Sequence, residues 1–342
     1  MREGGLRLSG KKISDYDYLY LTSALRAKEP KMLTLDRINR MLEAPSFEEA
    51  AKLLMDCGYV DMSGMKAAEI EKALSVHRKE AFEDIRELIP EKEIVDVFSL
   101  KYDYHNVKVL LKAESAGVDG KYLLSGSGTV SVEILTEAYY SQDEASLLPS
   151  RLAKALDEAR SVIKRTENPQ LADFILDRAY FDEMRELAGK LYAPFLSEYV
   201  RLAIDGANLR TVVRTLRIGR GESFLRSALI SGGNIDVGTL AESAYTESGF
   251  LPIYDSSEFR AAAELGVEAA KGGKLTYFEK ECDSVQTRFF VSAAKISFGA
   301  PPVIAYIAAL ENEITAVRMI LTGKLSGIEP SLIRERLRDI NA

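Results

Sequence analysis

Histidine and cysteine are scarce in this chain of 342 residues, with two of each. Cys57 and Cys282 are too few for a disulfide framework, which points to a reducing compartment and to two small, buried apolar side chains. His77 and His105 cannot supply a three-histidine metal site. In "SVHRKE", His77 reads as an exposed helix residue. An excess of basic charge is also missing. A net charge of −7 and a pI near 5.3 argue against affinity for nucleic acid, whose phosphates select basic surfaces.

Long apolar runs are absent as well. The most apolar one, "PPVIAYIAAL" (Pro301–Leu310), is about half of the ~20 residues a membrane span needs. The opening "MREGGLRLSGKK" has no apolar stretch of the secretory kind. The expectation is a soluble protein, not itself membrane-spanning, that can still sit on a membrane protein.

The usual marks of catalysis are missing too. "GVDGKY" (Gly117–Tyr122) lacks the GxxxxGK[ST] spacing and the hydroxyl after Lys121 that a phosphate loop requires. The segments "SGSG" (Ser125–Gly128) and "SGG" (Ser231–Gly233) read as turns between helices. There is no GxSxG, HExxH or CxxC. No catalytic residue, cofactor or metal is expected. Carboxylates are plentiful, so a hidden carboxylate site stays open, but nothing singles out a pair.

What is present is helical periodicity. In "SFEEAAKLLMDCGY", Ser46 and Glu49 make a capping box, Phe47, Ala50, Ala51 and Leu54 an apolar face, and Gly58 a stop. Phe82, Ile85, Leu88 and Ile89 recur at helical spacing before Pro90, and Leu332, Ile333, Leu337 and Ile340 do so near the end. The run "HRKEAFEDIRELIPEKE" reads as a solvated helix face. One stretch, Thr129–Val132, has the look of a short strand. The fold class expected is all-α.

A repeat organises these helices. "DYHNVKVLLK" (Asp103–Lys112) matches "DGANLRTVVR" (Asp205–Arg214), and "ENEITAVRMILTGK" (Glu311–Lys324) is a third copy with Ala316 in place of the amide. Asn106 and Asn208 are 102 residues apart; Asn208 and Ala316 are 108 apart. The flanks recur: "LLSGSGTVSVEIL" with "ALISGGNIDVGTL", and "AFEDIREL" with "YFDEMREL" and, more weakly, "YFEKECDS". Three similar helical domains are expected at 1–120, 121–222 and 223–342.

Helix geometry divides the repeated stretch by face. Tyr104, Val107 and Leu111 share the core stripe, as do Leu209 with Val213 and Val317 with Leu321. Lys101, Lys108 and Lys112 lie on another face, and Asp103, Asn106 and Leu110 flank the core. Asp103, Asn106 and Lys108, with Asp205, Asn208, Arg210, Glu313 and Arg318, are the candidate contact residues. Catalytic groups are rarely copied three times, so these are expected to make inter-repeat contacts, with a partner-binding stripe as the alternative.

Three stretches then carry a family likeness: "YLYLTSALRAKEPKMLT…LLMDCGY", "DYHNVKVLLKAE" and "FGAPPVIAYIAALENEITAVRMILTGKLSGIEPSLIRERL". The chain resembles, over essentially its whole length, the C subunit of archaeal and bacterial A/V-type rotary ATPases, and is similar to the d subunit of the eukaryotic V-type ATPase. Thr22 and Ala316 stand where an Asn is more usual in that family. The resemblance implies a funnel of three similar domains, with pseudo-threefold arrangement and no active site. It implies as partners the central-shaft subunits and the membrane rotor (proteolipid) ring, and a peripheral position on the cytoplasmic face of the cell membrane. A helical-repeat adaptor of an unrelated complex and a helical enzyme remain the other readings.

Overall fold

Three long helical hairpins of nearly equal size set the architecture. A computed structural model describes residues 13–141 and 147–338, and all regular structure in them is helical. The hairpins are α4 (Ala67–Leu88) with α5 (Glu93–Ala116), α8 (Pro169–Lys190) with α9 (Pro194–Arg217), and α13 (Leu275–Ser292) with α14 (Ala300–Leu325). Their arms hold 22 and 24, 22 and 24, and 18 and 26 residues, so the sequence repeat is a hairpin repeat.

Local chemistry marks the ends. Proline opens α8 and α9 at the first helical position, where its missing N–H costs nothing, and Pro301 stands in the first turn of α14. Gly117, at φ 66°, closes α5 with a left-handed cap that a side chain would strain. Ser46 accepts the Glu49 N–H at 3.2 Å to start α3 (Phe47–Lys52), and Gly58 ends the following turn at φ 88°.

Shorter helices fill between the hairpins. They are α6 (Val132–Tyr140), α7 (Ser150–Thr166), α10 (Glu222–Ala228), α11 (Val237–Ser243), α12 (Arg260–Ala270) and α15 (Pro330–Arg336), with α1 (Leu19–Lys28) and α2 (Leu35–Glu43) near the N-terminus. The hairpins pack in sequence and then close: α5 on α8, α9 on α13, and α14 back onto α4. Helix α14 also packs on α1 and α3.

Apolar side chains gather in three clusters. One joins Tyr18–Leu100 to parts of α8 and α9 and to Phe290–Leu337. Another runs over Leu202–Val285, and the third over Tyr104–Leu176. Positions 120 and 222 fall within the last two.

Several expectations need correction. Thr129–Val132 is no strand: the Asp103 carboxylate holds Thr129 and Val130, and Ser131 caps α6 by accepting the Ile134 N–H. His77 is half-buried, its ring 4.1 Å from that of Tyr59. The charged run holds two buried members, Arg78 and Glu91. Leu88 and Leu332 are exposed although they share helical spacing with buried neighbours. Ile340 lies outside the described residues. Both cysteines are buried and free.

Candidate functional site

The repeated Asp and Asn seat the segment that follows each hairpin. Asn106 Nδ2 donates to the Ser125 carbonyl at 2.9 Å, and its Oδ1 accepts the Ser125 N–H at 2.8 Å. Asn208 makes the same pair with Ile230, at 2.8 and 2.9 Å. Asp103 accepts from the Thr129 and Val130 N–H groups and from the Thr129 hydroxyl, at 2.7–3.0 Å. Asp205 accepts from the Asn234 and Ile235 N–H groups and from the Asn234 amide, at 2.9–3.1 Å. Burial pushes both carboxyls above their ordinary value, against these donors.

Two glycines make room for this. A Cβ at Gly128 would overlap the Asp103 carboxylate, and a Cβ at Gly233 would overlap that of Asp205. The SGSG and SGG segments are therefore turns held by side chains of the preceding helix.

The third copy takes its partner from the opposite end of the chain. Glu313 accepts the Leu33 N–H at 2.6 Å and the Tyr59 hydroxyl at 2.7 Å. Ala316 is buried in the apolar cluster that contains Leu33 and Tyr59. The N-terminal segment thus stands against α14 as the turn segments stand against α5 and α9.

The three equivalent cations all bind acids of a neighbouring hairpin. Lys108 pairs with Asp177 of α8 at 2.5 Å. Arg210 pairs with Glu279 and Asp283 of α13 at 2.7 and 2.6 Å. Arg318 pairs with Glu71 of α4 at 2.7 Å. Lys108 to Asp177 and Arg210 to Glu279 each span 69 residues. Each of the three cations thus pairs with acids on a helix of another hairpin.

Sequence reasoning missed one buried cluster. Lys101, Ala203 and Glu311 stand at the same step of the three copies. Lys101 Nζ lies 2.5 Å from Glu311 Oε2, and Arg78 Nε lies 3.0 Å from Glu311 Oε1. The Tyr102 hydroxyl donates to the same carboxylate at 2.7 Å, and the Arg78 guanidinium sits 4.7 Å from the Tyr102 ring. Burial disfavours the Glu311 charge, yet Lys101 and Arg78 hold its carboxyl below the ordinary value. Extending the repeat offsets one turn upstream of the asparagines would have paired Lys101 with Glu311. His105 takes no part; it is exposed, with Nε2 3.3 Å from the Leu123 carbonyl.

At one end the three hairpin turns converge. Glu91, between α4 and α5, accepts the N–H of Tyr192, between α8 and α9, at 2.8 Å and the Tyr18 hydroxyl at 2.6 Å. The Tyr16 ring lies 5.4 Å from that of Phe298, between α13 and α14. Beside the second hairpin, α8, α9 and α10, with Gln286 of α13, line a concave groove of ≈ 440 Å³ that includes Tyr180, Tyr199 and Arg210. Among the described residues, no cluster of three His, Cys, Asp or Glu side chains could hold a metal ion, and no helix is long and apolar enough to cross a membrane.

A set of helix-to-helix contacts that recurs from hairpin to hairpin defines a helical-repeat protein. The chain belongs to the ATP synthase (C/AC39) subunit family, whose model matches residues 21–336. It is 27% identical to the C subunit of the V-type sodium ATPase of Enterococcus hirae, over 95% of this chain and 99% of that one. It is 26% identical to the C subunit of the A-type ATP synthase of Methanocaldococcus jannaschii, over 94% of this chain and 86% of that one. It is 23% identical to the C subunit of the V-type ATP synthase of Thermus thermophilus, over 94% and 98%. The chain is accordingly a non-catalytic subunit of a rotary ATPase.

Proposed function

We propose that the protein is a socket in the central stalk of an A/V-type rotary ATPase or ATP synthase. It joins the rotating shaft to the membrane rotor ring and passes torque between them, for proton or sodium transport. In this reading three helical bodies, one per hairpin, stand around a pseudo-threefold axis. The protein sits peripherally on the cytoplasmic face of the membrane.

One observation carries the reading: equivalent positions of the first and third copies, Lys101 and Glu311, touch at 2.5 Å. Residues related by a rotation can meet only near its axis. The cyclic order α5 on α8, α9 on α13 and α14 on α4 supports the same arrangement. A socket has to be stiff under torque, and buried polar seats with buried ion pairs suit that task because their geometry tolerates little slippage.

The test is capture from membranes of the source organism with a tagged copy of this chain. Shaft subunits and the proteolipid ring in one eluate, in fixed ratio, support the socket. Capture of an unrelated complex in their place would return the chain to the adaptor reading.

A further inference from the structure

The second hairpin differs from the other two in how its arms are buried. In the first, Ile70, Leu74, Phe82 and Ile85 of α4 all stay in the cluster that also holds Met184 and Leu196. In the third, Val303, Ile307, Ile314 and Leu321 of α14 stay there too. Each of these hairpins thus keeps one arm in that cluster along its length. In the second hairpin both arms leave it. Met184 and Ala188 of α8 and Leu196 and Val200 of α9 belong to it near the turn. Further out, Ala172 and Leu176 of α8 join the Tyr104–Leu176 core, while Leu209, Val212 and Val213 of α9 join the Leu202–Val285 core. The groove of ≈ 440 Å³ opens between those two cores.

Exposed contacts span the groove. The Phe174 ring of α8 meets the Phe224 ring of α10 edge-on, with centroids 5.4 Å apart, and neither ring is part of a core. Arg178 Nη2 donates to the Ser227 carbonyl at 2.7 Å, and Arg185 Nη1 lies 3.4 Å from the Ser231 carbonyl. Both arginines and both serines are exposed, so water replaces these bonds at little cost. The corresponding contact in the first hairpin, between its first arm and the segment after its second, is sealed. There Arg78 of α4, which is buried, reaches Ser127 and pairs with Glu311.

We propose that the groove is a hinge cleft. The two cores swing as rigid units about the turn between α8 and α9, and the Phe174–Phe224 pair with the Arg178 bond is the latch that holds them together. The pivot is anchored: Glu91 accepts the Tyr192 N–H at 2.8 Å, and Ser197 Oγ donates to the Ala188 carbonyl at 3.2 Å across the turn. A hinge needs only a few residues at element ends to change their backbone angles, and Leu191–Ala193 join the two arms. Opening unpacks neither core, because each is closed on its own apolar side chains. It widens access to Tyr180 and Tyr199 on the groove wall. This motion belongs to the chain alone and holds whether or not the protein is a socket.

Spin labels on the full-length chain test the hinge, with distances read by double electron–electron resonance. Lys154→Cys on α7 and Glu268→Cys on α12 place one label on each core, at side chains that keep 79% and 78% of their exposure. Glu43→Cys with Lys154→Cys is the reference pair, which spans the contact sealed by Arg78 instead of the groove. The native cysteines, Cys57 and Cys282, are buried and so shielded from the label. A swing of about 10° at the end of an arm of about 35 Å moves a label by about 6 Å. The pair across the groove should show a broader distribution than the reference pair. Arg178→Ala with Phe224→Ala should shift it to longer distance by about 6 Å, while the reference pair keeps its own. A distribution across the groove that latch removal leaves unchanged overturns the hinge. An equal shift in the reference pair overturns it too, because the whole molecule then loosens rather than one cleft.

Discussion

Lys101 Nζ and Glu311 Oε2 lie 2.5 Å apart although 210 residues separate them and each belongs to a different copy of the repeat. The same carboxylate also serves Arg78, which is almost completely buried. Removing Glu311 therefore leaves a buried guanidinium without its counter-charge. Glu311→Ala should cost about 3–5 kcal/mol in urea unfolding. Lys101→Ala should cost less, because that ammonium is partly solvated and Arg78 still holds the carboxylate.

Two glutamates of α14 should give opposite pH dependences. The Glu311 carboxyl is held below the ordinary value near 4.5. Its stabilisation is full above that value and is lost as pH falls through the lower, folded one. Burial pushes the Glu313 carboxyl up, against the Leu33 and Tyr59 donors, so the folded state keeps that proton longer. Its contribution falls as pH rises through the raised value. Unfolding free energies measured from pH 3 to 8 should show a shallower acid limb in Glu311→Gln and a shallower fall on the rising side in Glu313→Gln.

The amide seats can be tested in trios. Asn106→Ala and Asn208→Ala each strip a backbone carbonyl and N–H of their partners, at about 2–4 kcal/mol. Restoring the amide in the third copy should not help. Ala316 lies in an apolar cluster, so Ala316→Asn buries a polar group there and should cost about 1–3 kcal/mol. A stabilised Ala316→Asn protein in chemical denaturation would show that the third copy keeps a vacant seat.

Gly128 and Gly233 should prove as intolerant as the carboxylates they face. Gly128→Ala drives a methyl group into Asp103, and a cost of about 2–4 kcal/mol is expected. The double change Asp103→Ala with Gly128→Ala should cost clearly less than the two single changes added together, since they act on one contact. Strict additivity in thermal unfolding would mean the two residues act independently.

Much of this was legible in the sequence because it repeats. The offsets of 102 and 108 marked three copies of a helical unit, and helical geometry placed Tyr104, Val107 and Leu111 in the core, where all are buried. The closure was not legible. Nothing in a chain-order reading tells that Glu313 binds Leu33 and Tyr59 rather than the segment after it, because the partner lies at the other end of the chain. Arg78 and Glu91 vanished into a charged run for a similar reason: a helix surface looks solvated until a distant Glu311 or Tyr18 covers it. Thr129 and Val130 have strand-forming side chains, and only the Asp103 carboxylate bends them into a turn.

The socket itself is tested most directly by coupling. The ATPase head with its shaft and the membrane ring, reconstituted in vesicles with and without this chain, should hydrolyse ATP in both cases. Ion pumping driven by that ATP should vanish without the chain and return when it is added. Full pumping in vesicles that lack the chain would contradict the account.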